Sequence, residues 1–149
     1  MSTDITLPFA RGTFKFHLND QQMWNLERGL GGPQGLRQPP MFIGVAYARL
    51  LRGRFIRDGE EIASPAHAEF SAIELSQIIR AGLLGGKGGE IDGEHISWDE
   101  YDVDSFMTTY VSPMPLVERW ELALAIMGAA VEGVTPPLKD DTALTDKRL

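Results

Sequence analysis

Residues 71–89, Ser-Ala-Ile-Glu-Leu-Ser-Gln-Ile-Ile-Arg-Ala-Gly-Leu-Leu-Gly-Gly-Lys-Gly-Gly, constrain the fold of this chain more than any other stretch. Ser71 and Glu74 have capping-box spacing, in which each side chain satisfies a backbone N–H that the first helical turn leaves unpaired. Leu75, Ile78, Ile79 and Gly82 follow at i, i+3, i+4 and i+7, which makes one buried stripe. Gly85 and Gly86 supply the left-handed residue on which helices end. The pattern predicts an amphipathic helix over 71–84. It carries no reactive group, so it is scaffold.

On its N-terminal side, Ile5, Leu7 and Phe9 alternate with polar residues, as do Phe14, Phe16 and Leu18, with Arg11-Gly12 between the runs. Period-two alternation predicts a half-buried hairpin whose Phe face must pack on later helices. Asn19, with Gln22 three residues on, opens a helix carrying Met23, Leu26 and Leu30, and Gly29, Gly31, Gly32 and Pro33 stop it. Residues 31–40 are a loop by composition. A second helix is expected over 41–52, with Ile43, Ala46, Tyr47, Leu50 and Leu51 on its apolar face.

C-terminal to the central helix, residues 87–97 read as an insertion with an Asp92-Gly93 hairpin turn. Ser97 and Glu100 predict a second capping box and a helix ending near Tyr110. Ser112-Pro113 breaks the chain, and a last helix is expected from Pro115 to Val131. The predicted fold is mainly α: an N-terminal β-hairpin packed on a small bundle of about five helices. Residues 1–133 would form that single domain and 134–149 a disordered polar tail.

Composition narrows function. The length of 149 residues suits one domain with a real core. A net charge of −7 argues against nucleic acid as a main partner, since phosphate binding needs a basic face. Against that background Arg37, Arg49, Arg52, Arg54 and Arg57 form a local basic cluster. It either complements a helix C-terminus or docks an acidic partner. The absence of cysteine removes disulfides, thiolate catalysis and cysteine-ligated metals. No basic-then-apolar leader opens the chain, and the apolar run 122–131 is far shorter than the ~20 residues of a membrane helix. A soluble, intracellular protein with no membrane partner is expected.

No reactive constellation in the sequence holds together. His67-Ala-Glu69 has zinc-deaminase spacing but lacks the Pro-Cys-x-x-Cys that completes such a site. His17, His67 and His95 share no metal-ligand spacing. The glycines at 82–88 end a helix where a phosphate loop would begin one, and no Ser or Thr follows Lys87. Seven acids in 90–104 lack the calcium-loop pattern and read as a solvated face. The expectation is a non-enzyme with no catalytic residue, cofactor or metal.

The last helix is different. Leu122 to Val131 is apolar on every side, with Trp120, Ala123, Leu124 and Met127 along one stripe and Leu122, Ile126 and Ala129 along another. Such a helix is either central to the core or keeps one stripe for a partner. The partner-binding candidates are Trp120, Leu122, Ile126 and Met127.

Leu26-Glu27-Arg28-Gly29-Leu30-Gly31, then Ala48-Arg-Leu-Leu-Arg-Gly53-Arg-Phe55, then Ile78-Ile-Arg-Ala-Gly82-Leu-Leu-Gly-Gly86 follow a short hairpin in this order. The arrangement resembles the small tail-assembly proteins of long-tailed phages and gene transfer agents, described both as tail assembly chaperones and as tail-tube-associated. The resemblance covers residues 5–86 and, more loosely, 113–131; the 31–40 loop and the acidic 87–97 segment depart from it. It implies a non-enzymatic chaperone that coats the helical tape-measure protein until tube subunits polymerise, acting in the cytoplasm of the bacterial host. The tail-tube subunit and self-association are further partners it implies. The alternative is a structural tail-tube or tail-completion component of the particle.

Overall fold

Alternating apolar residues and a two-residue turn make the first element a hairpin, β1 (Asp4–Phe9) and β2 (Gly12–His17), paired from Phe9↔Gly12 to Asp4↔His17. Phe9, Phe14 and Phe16 are buried on one face, while Thr13 and Lys15 face out. Helices α1 (Asp20–Glu27) and α2 (Ile43–Leu51) follow, then strands β3 (Arg54–Arg57) and β4 (Glu60–Ala63). The chain continues through α3 (Ala72–Gly86), strands β5 (Gly88–Ile91) and β6 (Glu94–Ser97), α4 (Glu100–Phe106), a π-helical turn at Met107–Val111, and α5 (Leu116–Glu132). This computed structural model describes residues 1–33 and 36–135. Most of the expected tail, residues 136–149, lies outside the described residues.

The mainly α expectation is overturned: the described residues form an α+β fold with six strands in two antiparallel sheets. The main sheet has four strands in the order β1-β2-β5-β6, and β3-β4 form a separate pair. Residues 87–97 are therefore half of the main sheet. Asp92 and Gly93 take φ of 51° and 83°, the doubly positive geometry of a tight hairpin turn. The returning hairpin docks on β2 with Phe14 opposite Gly89 and Thr13 opposite Glu90. Asp58-Gly59 makes the same turn at φ of 53° and 80° between β3 and β4. Arg54 and Arg57 thus lie on a strand and do not complement a helix end, and Arg57 stands opposite Glu60. Of the other arginines in the cluster, Arg52 pairs with Glu69 at 2.6 Å and Arg49 stands 3.8 Å from Glu74.

Three caps differ from the expected ones. Ser71 Oγ accepts from Glu74 N at 3.0 Å, which is half of a capping box. The full reciprocal box belongs to Asp99 and Asp102, two residues beyond the expected Ser97. The left-handed residue ending α3 is Lys87, at φ 62°, while Gly85 and Gly86 remain helical. Their glycine identity answers to packing. A Cβ on Gly85 or Gly86 would stand 1.8 Å from the carbonyl oxygen of His17 or Lys15, so the end of α3 lies directly on β2.

The core fills the space between the sheet's inner face and α3, α4 and α5. Phe14 stacks near Trp98 at 4.7 Å and meets Phe106 edge-on at 5.3 Å. Trp98 Nε1 donates to the Leu83 carbonyl at 2.9 Å, which ties the β6–α4 junction to α3. Such aromatic pairs contribute about 0.5–1.5 kcal/mol each beyond their buried area.

Candidate functional site

The residues named as a partner stripe on α5 are part of the core. Trp120, Ile126 and Met127 are buried, and Leu122 is half-buried against the same cluster. Trp120 Nε1 donates to the Leu50 carbonyl at 3.1 Å, which locks α5 against α2. Ile126 fills the notch left by Gly82, where a Cβ would come within 3.1 Å of its Cγ2. With α2, α3 and β1 packed around α5, its all-round hydrophobicity is the signature of a central helix. None of the four is an open surface in the folded chain.

An exposed apolar face lies on α2. Phe42 at its N-cap is 66% exposed and Val45, one turn on, is 52% exposed. Gly44, Ala48 and Leu51 are also exposed, so the solvent side of this helix is almost as apolar as the side on α5. A Cβ at Gly44 would meet nothing within 4 Å. Solvent-facing helix surfaces are normally polar, and contiguous apolar ones mark interaction sites. Opposite this face, the Tyr47 hydroxyl donates to Glu132 and anchors α2 to the end of α5. Burial, reinforced by that carboxylate, pushes the Tyr47 phenol up to about 12.

Between α2 and α3 lies an imperfect ion pair. Arg49 Nη2 is 3.8 Å from Glu74 Oε2, and Arg49 Nε and Glu74 Oε1 are buried with no hydrogen-bond partner among the described residues. Burial raises the Glu74 carboxyl above its ordinary range, and the Arg49 charge only partly offsets this.

A second feature is a cleft of about 550 Å³ between the loop after α1, the first half of α3 and the π-helical turn. Gln77 and Arg80 line it, and they are the buried polar or charged side chains among the described residues. Arg80 Nε donates to Asp104 Oδ1 at 2.7 Å and its Nη2 to Glu100 Oε1 at 2.8 Å, tying α3 to α4. Thr108 Oγ1 donates back to the Asp104 carbonyl at 3.2 Å where the helix widens into the π turn. Such turns recur at functional sites. Ser76, Thr108 and Ser112 line the cleft together with the Asp104 carboxylate, so it offers hydrogen bonds and charge.

The other sequence candidates are dispersed. Thr3 Oγ1 bonds His17 Nε2 at 3.0 Å, Ser64 bonds His67 at 2.8 Å, and His95 stands exposed on β6. Of the acids in 90–104, Asp99 and Asp102 cap α4, Glu100 and Asp104 hold Arg80, and Asp92 meets Arg11 at 3.1 Å. Among the described residues no three His, Cys, Asp or Glu side chains could hold a metal ion together. No helix of the described residues is long and apolar enough to cross a membrane. No protein-family model matches the sequence, no curated protein is significantly similar, and no solved structure matches the fold.

Proposed function

We propose that this chain is a non-enzymatic tail assembly chaperone that binds the tape-measure protein during assembly of a long phage or gene-transfer-agent tail, in the cytoplasm of the bacterial host. The resemblance of residues 5–86 to that family supplies the identity of the client. The observation that carries a binding role is the solvent face of α2, with Phe42, Val45, Ala48 and Leu51 exposed on an otherwise acidic chain. A client made of apolar helices is recognised by laying its apolar stripe on another apolar surface. Small residues at Gly44 and Ala48 would let a partner backbone approach closely, and a net charge of −7 keeps the complex dispersed. The mechanism is masking by binding, and it consumes no nucleotide.

One observation favours a second reading, a structural tail-tube or tail-completion component. The main sheet has four strands and two edges, β1 and β6, where further strands can add. Pro8 removes a donor from β1 at a position facing outward by the alternation of the β1–β2 register, whereas β6 keeps all its N–H groups.

Co-expression with the tape-measure protein of the same genome, followed by assay of finished particles, separates the two. Soluble co-purification with absence from particles supports the chaperone. Stoichiometric presence in particles without binding to the tape-measure protein supports the structural component.

A further inference from the structure

We propose that β6 takes an extended segment of a partner protein as a further strand of the main sheet, one in which an apolar residue is followed two positions later by Lys or Arg. β6 is an end strand and pairs with β5 alone, in a register that runs without a bulge from Ile91↔Glu94 to Gly88↔Ser97. The bond from Trp98 N to the Lys87 carbonyl at 3.1 Å fixes the phase of that ladder. Bonded pairs then fall at Trp98, Ile96 and Glu94, which turns the N–H and C=O of His95 and Ser97 away from β5. No other element of the described residues bonds those groups, and both residues are exposed. The opposite edge is blunted by Pro8, whereas β6 has neither a proline nor a left-handed residue.

Backbone chemistry selects the class of occupant. A donor and an acceptor on each of two residues, spaced by one along a straight edge, are matched by another extended backbone. Side chains then select its sequence. Alternation puts Glu94 and Ile96 on the inner face of the sheet and His95 and Ser97 on the outer one. An antiparallel added strand sets one residue beside Ile96 and the residue two further on beside Glu94. Ile96 ends the inner row that runs through Phe14 and Gly89, and it is part-buried against the core, so an apolar neighbour extends that row. Glu94 is exposed, and no cation lies within ion-pair distance of it among the described residues. A basic neighbour supplies the missing partner, since opposite charges across a pair of strands are favourable. A second copy of the chain fits these terms badly. Pairing β6 with itself through Ile96 brings the Asp92 turn of each copy against Asp99 and Glu100 of the other, acid against acid.

The inference does not rest on the chaperone reading, and its test uses neither the tape-measure protein nor a particle, so the two fail separately. The full chain, isotope-labelled, is titrated at low salt with Ac-Thr-Val-Thr-Lys-Thr-NH2, following backbone amide shifts. His95, Ile96 and Ser97 are expected to shift saturably. Methylating the peptide nitrogens of its first and third residues, which face the edge, should abolish binding. Glu in place of the peptide Lys should weaken binding about threefold, as expected of an exposed charge pair. Glu94→Lys, at an exposed position, should fold normally and reverse that preference. Undiminished binding of the methylated peptide, shifts confined to other surfaces, no saturable shift, or an unchanged preference in Glu94→Lys would each overturn the proposal. Shifts of His95 and Ser97 on diluting the chain alone would overturn it in favour of a second copy.

Discussion

Gly85 of α3 rests on the carbonyl of His17 in β2 with no room for a side chain: a Cβ there would stand 1.8 Å from that oxygen. The contact sets how closely the central helix can approach the sheet, and Gly86 repeats it against Lys15. Gly85→Ala or Gly86→Ala should therefore force helix and strand apart and cost about 3 kcal/mol, towards the upper end for overpacking. Gly44→Ala, on open helix surface, should instead be neutral or stabilise by up to about 1 kcal/mol. Urea denaturation of the three variants checks both. Equal effects at Gly85 and Gly44 would show that helix propensity, not contact, governs these positions.

That pair of glycines also shows where the sequence stops being legible. Near the end of a helical pattern, terminating glycines and glycines demanded by a neighbouring strand look alike, because the neighbour is distant in sequence. The first hairpin was readable from period-two alternation, and Asp92-Gly93 marked the second. Its pairing with β2 was not readable, since no local signal records a partner some 75 residues away. Asp58-Gly59 carried the same turn signal but was masked by arginines that suggested a helix end. The sequence of α5 is apolar on every side over 122–131 and that of α2 nearly so apart from Arg49, and only tertiary packing decides which is enclosed. The stripe at Trp120, Leu122, Ile126 and Met127 lies on the helix that packing encloses, while Phe42 and Val45 lie on the one it leaves open. The cleft has no local sequence signature, because Gln77, Arg80 and Asp104 come together only through the packing of α3 on α4.

Arg80 should be worth more through Asp104 than through Glu100. Asp104 is mostly enclosed, whereas the Glu100 side chain is 60% exposed and water screens its pairing. Asp104→Asn is expected to destabilise by about 1–3 kcal/mol, and Glu100→Gln by less than about 1 kcal/mol. A double-mutant cycle measures the coupling. A larger loss at Glu100 would contradict the burial argument.

Alkaline stability should report Tyr47. Its phenol titrates near 10 when unfolded and is pushed up to about 12 in the fold, chiefly by burial and then by Glu132. The native state holds the proton more tightly in that window, so stability is fully present below pH 10 and falls as pH rises from there towards 12. Tyr47→Phe should flatten this limb in melts recorded across the range. An unchanged slope would remove Tyr47 as its source.

Glu74 should act in the opposite pH region. Burial raises its folded pKa above the ordinary 4.5, against the weaker pull of Arg49. The native state then binds the proton more readily, and this group adds stability as pH falls towards 4.5. Glu74→Gln should remove that gain without lowering the melting temperature at pH 7, because the buried oxygen it replaces accepts no hydrogen bond. A large loss at pH 7 would show that the Arg49 pair is stabilising after all.

The most direct test of the account is capture of the tape-measure protein, co-expressed from the same genome, by wild-type chain and by Val45→Asp. Val45 is 52% exposed on α2, so a carboxylate there should leave the melting temperature unchanged. The account predicts that the wild type co-purifies with the tape-measure protein and that Val45→Asp reduces capture at least roughly tenfold, as a buried charge at an apolar contact requires. Undiminished capture by Val45→Asp would contradict the α2 surface, and no capture by the wild type would contradict the chaperone itself.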